Sequence, residues 1–481
     1  MRTSQKPEGQ RTVSTPLEAL LQVPNVVSND VPPPGTFGPG RTSAAALFVG
    51  VGALVYVEAM SARFAIPILT VAAVLVAGCS GSESTDDAAA ASSAQTTSTP
   101  QAAETDPPAS EPVTTDPLVT APVETDPPPD PEPEVTAAAE RAPYDFSAIG
   151  PIVDAFVAEQ GLNGAGLIVV DQEDGVVHEE YWGEFEADRI SLIASSSKMI
   201  SASVLMRLDD DGLLDVDAPV ADIVEWGAGN PTVTPAQLIS NSSGLIGLQD
   251  GFGYESYLCQ FNPADTLQDC AEQIFTTPDD DAEVIPPDTE FRYGGAQWTI
   301  AGAVAEVASG RTWAQLVDEL IAAPCGLESL GYYLPTGFEY PADFNADPST
   351  LPPTANPNPE GGAYVTAPDY AQLMLMQLRD GMCGDERVVS SEAIDRMHAD
   401  RIAEVYGGDA AESSNFGYGM GWWVDRESGR ISDEGLYGTV PWLDLDDGFG
   451  AYLVVEKTSE VGRSLAAQLY EPVEAAVLAA R

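Results

Sequence analysis

Ile193-Ala194-Ser195-Ser196-Ser197-Lys198 opens a stretch that runs on to Met206-Arg207-Leu208-Asp209-Asp210-Asp211-Gly212, and the rest of the chain can be read outward from it. Lys198 is one of only three lysines among 481 residues, in a chain that otherwise meets its need for positive charge with arginine. Arginine cannot replace lysine where the task is to give up a proton, because guanidinium stays charged at any working pH while a buried ammonium can be neutralised. Ile200, Val204, Leu205 and Leu208 recur at helical spacing, which predicts a helix over 195–211 with Ser195 at its start and Gly212 at its stop. On such a helix Ser195 and Lys198 share a face, so a hydroxyl and an amine can meet as nucleophile and base. The tetrad alone is weak, since a capped surface helix with a solvated lysine would look the same.

Charge limits the partners. The chain carries 20 basic and 75 acidic residues, and residues 146–481 alone hold 14 basic against 57 acidic. Such a surface repels nucleic acid and anionic lipid headgroups, and it suits a salty milieu in which screening weakens self-repulsion.

The first 145 residues read as address and tether. Met60 to Cys79, MSARFAIPILTVAAVLVAGC, has one basic residue, an apolar run from Phe64 to Ala77 and small residues before a cysteine. It resembles a bacterial lipoprotein signal with Val76-Ala77-Gly78-Cys79 as the lipobox, which implies a signal over 60–78 and lipid on Cys79. The expected location is then the extracytoplasmic face of the cell membrane, held by the lipid. Residues 1–59 are either a start placed too early, with translation beginning at Met60, or an extension whose apolar Ala44–Val57 also meets the membrane. Residues 79–145 are Ala, Ser, Thr, Pro, Asp and Glu with few large apolar side chains, too little to offset chain entropy, and are expected to be a disordered tether.

Residues 146–481 suit one core. Phe146–Gln160 patterns as a helix, and Gly166–Asp171 and Val176–Trp182 as a hairpin around Gln-Glu-Asp-Gly. Strand character returns in Gly417–Asp425, Trp442–Leu445 and Gly450–Glu456, before a last helix over Val461–Ala480. Strands at both ends with helices between predict one antiparallel sheet built from both termini, a mainly helical lobe, and Ser195 at their junction. Cys259, Cys270, Cys325 and Cys383 allow three pairings; the expected one is Cys259–Cys270, closing a short loop, with Cys325–Cys383. A zinc site competes for these thiols, but no Cys-x-x-Cys exists and the histidines are His178 and His398 alone, so no metal is expected. No Gly-x-Ser-x-Gly elbow exists, so no histidine-based triad is expected, with His178 on an expected strand and His398 on an expected surface helix.

Five segments in order resemble the serine β-lactamase and penicillin-binding superfamily, nearest its class C and esterase branch. They are the Ser195 segment; Thr234-Pro235-Ala236-Gln237-Leu238-Ile239-Ser240-Asn241-Ser242-Ser243-Gly244-Leu245, with Asn241 in place of a common His; Pro287-Asp288-Thr289-Glu290-Phe291-Arg292-Tyr293-Gly294-Gly295, like the segment bearing a Tyr-x-Asn motif; Gly361-Gly362 and its sequel; and Asp433-Glu434-Gly435-Leu436, where Lys/His-x-Gly is usual. The resemblance implies an α+β, transpeptidase-like fold with no cofactor. It implies Ser195 as nucleophile, Lys198 as base, Tyr293 as proton relay, and the N–H groups of Ser195 and Leu436 as oxyanion hole. Lys198 and Tyr293 are expected to hold each other's titration near neutrality.

Departures accompany the match. Gly295 stands where the second motif has Asn, and Asp433 stands where a basic side chain, with Gly435 beyond it, would meet a substrate carboxylate. A carboxylate there repels an anionic substrate. The expectation is therefore a monomeric serine hydrolase acting on an ester or related acyl substrate, a small molecule or a part of the cell envelope. The alternatives are a D-alanyl carboxypeptidase or β-lactamase, and a lipoprotein that binds through the same fold without catalysis.

Overall fold

The computed structural model describes residues 142–248, 254–278, 282–406 and 415–481. Cys79, the signal at 60–78, residues 1–59 and nearly all of the tether lie outside the described residues. The chain joins the fold before Phe146: the Ala142 N–H donates to the Ala480 carbonyl at 3.0 Å.

Helix α1 (Ile149–Gln160) leads to the hairpin of β1 (Gly164–Asp171) and β2 (Gly175–Gly183), then to β3 (Ile190–Leu192) and α2 (Lys198–Asp210). A helical stretch follows, of which α3 (Gly295–Ser309) is the longest part. Next come β4 (Gly331–Tyr332), β5 (Ala363–Thr366), α4 (Ala367–Leu378), β6 (Met382–Cys383) and β7 (Glu386–Arg387). The chain then returns through β8 (Phe416–Tyr418), β9 (Trp423–Asp425), β10 (Ile431–Ser432), β11 (Thr439–Asp444) and β12 (Phe449–Val454) to α5 (Ser459–Ala480).

The main sheet has the order β2-β1-β12-β11-β10-β9-β8, with every neighbour antiparallel. The α+β sheet built from both ends is therefore present as the sequence implies. Its pattern follows from the pleat: Leu167 and Val169 of β1 pack with Leu453 of β12 against α1 and α5, while Ile168 and Val170 face the helical lobe with Tyr452 and Val454. Covered on both faces, β1 is buried along its whole length.

Three readings need correction. The expected strand over 417–425 is two strands, because Gly421 takes φ +86° and turns the chain back at Gly419–Trp422. The sheet β3-β5-β4 and strand β10 went unread, being only two to four residues each and too short to show alternation. The helix expected from Ser195 begins as α only at Lys198; Ala194–Ser197 is a 3₁₀ turn. Both disulfides form as expected, Cys259–Cys270 with Cα atoms 5.4 Å apart and Cys325–Cys383 at 4.9 Å. Among the described residues no helix is long and apolar enough to cross a membrane, and no cluster of side chains could hold a metal ion.

Candidate active site

Helix α2 is buried on nearly every side, from Lys198 through Met206 and again at Leu208, so it is a core helix whose first turn is fixed by packing. Each fully buried side chain of leucine size contributes roughly 1.5–3 kcal/mol over its exposed state. That anchorage presents one residue of the turn to solvent: Ser195 is partly exposed while 191–194 and 196–200 are buried. Ala194 holds φ +46°, a left-handed conformation that costs an L-residue roughly 1–2 kcal/mol and is stored here beside the exposed hydroxyl. Ser196 Oγ donates to the Asp433 carbonyl at 2.6 Å, and Thr439 Oγ1 donates to the Ile193 carbonyl at 2.9 Å, tying the turn to the start of β11. Gly435 is required at this seam, because a Cβ would strike the Ile193 carbonyl and the Thr439 hydroxyl.

Lys198, wholly buried, extends Nζ to 3.0 Å from Ser195 Oγ. Ser195 therefore does not cap the helix; its hydroxyl is the acceptor of the amine one turn on. Nζ also lies 3.2 Å from the Glu360 carbonyl oxygen, 3.4 Å from Glu360 Oε1, and 4.7 Å from the centre of the Tyr293 ring. Tyr293 stacks on Trp423 at 5.4 Å and meets Tyr418 edge-on at 6.2 Å. Its segment is clamped by Asn241, which adopts φ +55°, accepts the Gly294 N–H at Oδ1 (3.3 Å) and accepts the Arg292 N–H at its carbonyl (2.9 Å). Asparagine tolerates that backbone where most residues do not.

The proton distribution differs from the expected near-neutral pair. Burial, the largest influence on Lys198, lowers its pKa, but Tyr293, Glu360 and Asp433 together outweigh it and push it up to about 12. Burial raises the Tyr293 phenol; the Lys198 ammonium pulls it down without reversing the shift, and Asp433 and Glu360 add to the rise. Both shifts favour an ammonium and a phenol at rest, with Tyr293 first and the Glu360 and Asp433 carboxyl groups after it favouring the charged amine.

The N–H groups of Ser195 and Leu436 donate no hydrogen bond among the described residues, and both residues line one cavity of about 430 Å³. Tyr293, Glu360, Glu434, Trp423 and Arg463 line it as well. Three of its lining side chains, Leu248, Phe338 and Leu436, are exposed apolar groups, so the site has an apolar rim. Two free donors beside a serine hydroxyl are the arrangement that stabilises a tetrahedral oxyanion.

Asp433 is not where the sequence places it. Its side chain is fully buried and absent from the cavity lining, while Glu434 reaches the cavity. The strand alternation running out of β10 turns position 433 inward towards the start of α2 and position 434 outward. Burial raises the Asp433 carboxyl well above its ordinary value, although the Lys198 ammonium and the Met199 and Lys198 N–H groups pull the other way. Neither carboxyl oxygen makes a hydrogen bond of normal geometry. Gly295, expected to face substrate, is buried behind Glu360. Glu360 and Glu434 went unread, although Glu360 immediately precedes the quoted Gly361-Gly362. His178 packs on Phe146 and His398 hydrogen-bonds Gln377 Oε1 at 2.8 Å; neither lines the cavity.

Residues 150–473 match the family model for β-lactamase. Penicillin-binding protein 4 of Amycolatopsis lactamdurans is 26% identical over 359 residues, covering 68% of this chain and 89% of that one. The 6-aminohexanoate-dimer hydrolase of Paenarthrobacter ureafaciens is 26% identical over 306 residues, 60% of this chain and 70% of its own. In structure, a penicillin-binding protein homologue from Caulobacter crescentus superposes with a TM-score of 0.55 at 21% identity, covering 70% of this chain and 98% of its own. With that match spanning the sheet, the Ser195 turn and the Tyr293 segment, the chain belongs to the β-lactamase family and is a serine hydrolase.

Proposed function

We propose that this hydrolase forms an acyl-enzyme on Ser195 from an ester or related acyl substrate that is neutral or cationic at its reacting end. The observation that carries the reading is the Lys198 amine 3.0 Å from the Ser195 hydroxyl at a cavity with an apolar rim and two carboxylates, Glu360 and Glu434. Lys198, once deprotonated, takes the Ser195 proton, and the alkoxide adds to the substrate carbonyl. The Ser195 and Leu436 N–H groups receive the oxyanion; a single donor of this kind is typically worth about 10²–10³ in rate. Tyr293 returns a proton to the leaving group, and water then releases the acyl chain. Because the resting amine is protonated, acylation rises with pH into the alkaline range.

The same reading places the domain outside the cytoplasm, on a lipid at Cys79. Its supports are the signal-like 60–79 segment and the pairing of all four cysteines of the domain.

Arg463 favours a second reading. It lines the cavity and makes no ion pair among the described residues, so a substrate carboxylate could meet it, as in D-alanyl peptide or β-lactam chemistry. Intact mass after incubation with a fluorophosphonate and with a penicillin separates the two. A fluorophosphonate adduct lost in Ser195→Ala, with turnover of p-nitrophenyl esters, is the expected result. A stable penicillin adduct, lost in Arg463→Ala, selects the second reading. No adduct with either leaves a binding protein and ends the proposal.

A further inference from the structure

Where the second motif of the family has an asparagine, this chain has Gly295, yet the space is not empty. A Cβ built on Gly295 runs into the carboxylate of Glu360 and the amide oxygen of Gln260. Glu360 therefore occupies the volume that a side chain at 295 would claim, and it arrives from a different part of the chain.

Its position is fixed by the same helix that carries the lysine. Ser201 Oγ donates to the Pro359 carbonyl at 2.6 Å, and Ser197 Oγ accepts the Ala363 N–H at 3.0 Å. Ser197, at the end of the 3₁₀ turn, and Ser201, four residues on in α2, bracket Lys198, so these two hydrogen bonds hold the 359–363 segment on either side of Nζ. Within the segment, Asn358 Oδ1 accepts the Gly361 N–H at 3.0 Å and the Asn358 carbonyl accepts the Gly362 N–H at 2.8 Å, setting the turn. The outcome is a pair of Glu360 oxygens, the carbonyl at 3.2 Å and Oε1 at 3.4 Å, that complete the amine's acceptors with Ser195 Oγ.

We propose that Glu360 replaces the absent amide of the second motif as the positioning residue that holds the Lys198 amine against the Ser195 hydroxyl. The inference rests on the reading of Ser195 as nucleophile and Lys198 as base. A carboxylate differs from an amide in lacking its N–H donors and in favouring the ammonium. The other titratable groups facing Nζ are Tyr293, just ahead of α3, and Asp433, just after β10; the first turn of α2 contributes no acid. Position and charge can therefore be separated by substitution.

The test is the second-order rate of fluorophosphonate labelling at Ser195 as a function of pH, for the wild type, Glu360→Gln, Glu360→Ala and the exchange Gly295→Asn with Glu360→Gly. The glutamine keeps an oxygen near Nζ and removes the charge, so the acid limb moves down by about 1–3 pH units and labelling at neutral pH becomes faster. The alanine removes the support, and the plateau falls by about 10²-fold. The exchange returns an amide to the vacated volume and recovers a plateau within about tenfold of the wild type, with the limb displaced downward as in Glu360→Gln. If Glu360→Gln and Glu360→Ala keep the wild-type limb and plateau, Glu360 does not position the base. Should either single variant fail to fold, as read by thermal unfolding, the exchange carries the test, and an exchange that folds but labels no better than Ser195→Ala overturns the proposal. A wild type that shows no Ser195-dependent adduct ends the hydrolase reading itself, which is a different outcome from an adduct with an unmoved limb.

Discussion

Asp433→Asn should stabilise this domain progressively as the pH rises. The side chain is fully buried, its two oxygens lack hydrogen-bond partners of normal geometry, and burial holds its pKa well above the ordinary 3.8. In the unfolded chain the acid ionises near that ordinary value, while in the folded domain burial displaces its ionisation to higher pH against the pull of the Lys198 ammonium. The wild type therefore loses stability relative to the asparagine variant as pH climbs from the unfolded pKa towards the folded one, by about 1.4 kcal/mol per pH unit. The gap opens from the ordinary value upward and levels off once the pH passes the raised pKa of the folded domain. Any constant cost of an unpaired amide cancels, because only the slope is read. Urea unfolding of both proteins at steps from about pH 4 to pH 7 measures it. A difference that stays flat across this range would refute the reasoning, since it would mean the carboxyl ionises in the fold as readily as out of it.

Three further outcomes follow from the same structure. Loss of Cys325–Cys383, whose partners are 58 residues apart, should cost about 4 kcal/mol in urea unfolding of the double serine variant. Loss of Cys259–Cys270, 11 residues apart, should cost about 3 kcal/mol, and a reversed ranking would show that chain entropy is not the controlling factor. Ala194→Gly relieves a φ of +46° and should leave the unfolding free energy unchanged or raised by up to about 1 kcal/mol, with Tm unchanged or raised, while slowing fluorophosphonate labelling of a loosened turn. A marked fall in Tm would show that the turn stores no strain.

What the sequence disclosed, and what it hid, divides along a physical line. The Ser195–Lys198 pair is local, three residues on one helical turn, and the hairpin of β1 and β2 announces itself by β-branched runs around a turn. The sheet built from both ends was legible because β11 and β12 flank Asp446-Asp447-Gly448. Glu360 was not legible: its meeting with Lys198 joins residues 162 apart through a segment without periodicity. Nor could the sequence orient Asp433 and Glu434, since β10 is two residues long and does not establish which face comes next. The surroundings of the Lys198 amine were hidden for the same reason, since Glu360 and the inward turn of Asp433 come from those two places.

The central pairing of β1 with β12, which sets residue 171 opposite residue 449, has a temporal meaning. During synthesis the first hairpin leaves the ribosome long before the strand that will lie beside it. At ordinary elongation speeds the delay is on the order of 15–60 s. Throughout that interval β1 keeps an unzipped edge and two uncovered apolar faces, so the domain cannot acquire its shape piece by piece from the front. A chaperone that shields nascent strands is the natural companion of such a topology, and a shortened chain lacking residues past 448 should remain a substrate for proteases however intact its catalytic helix.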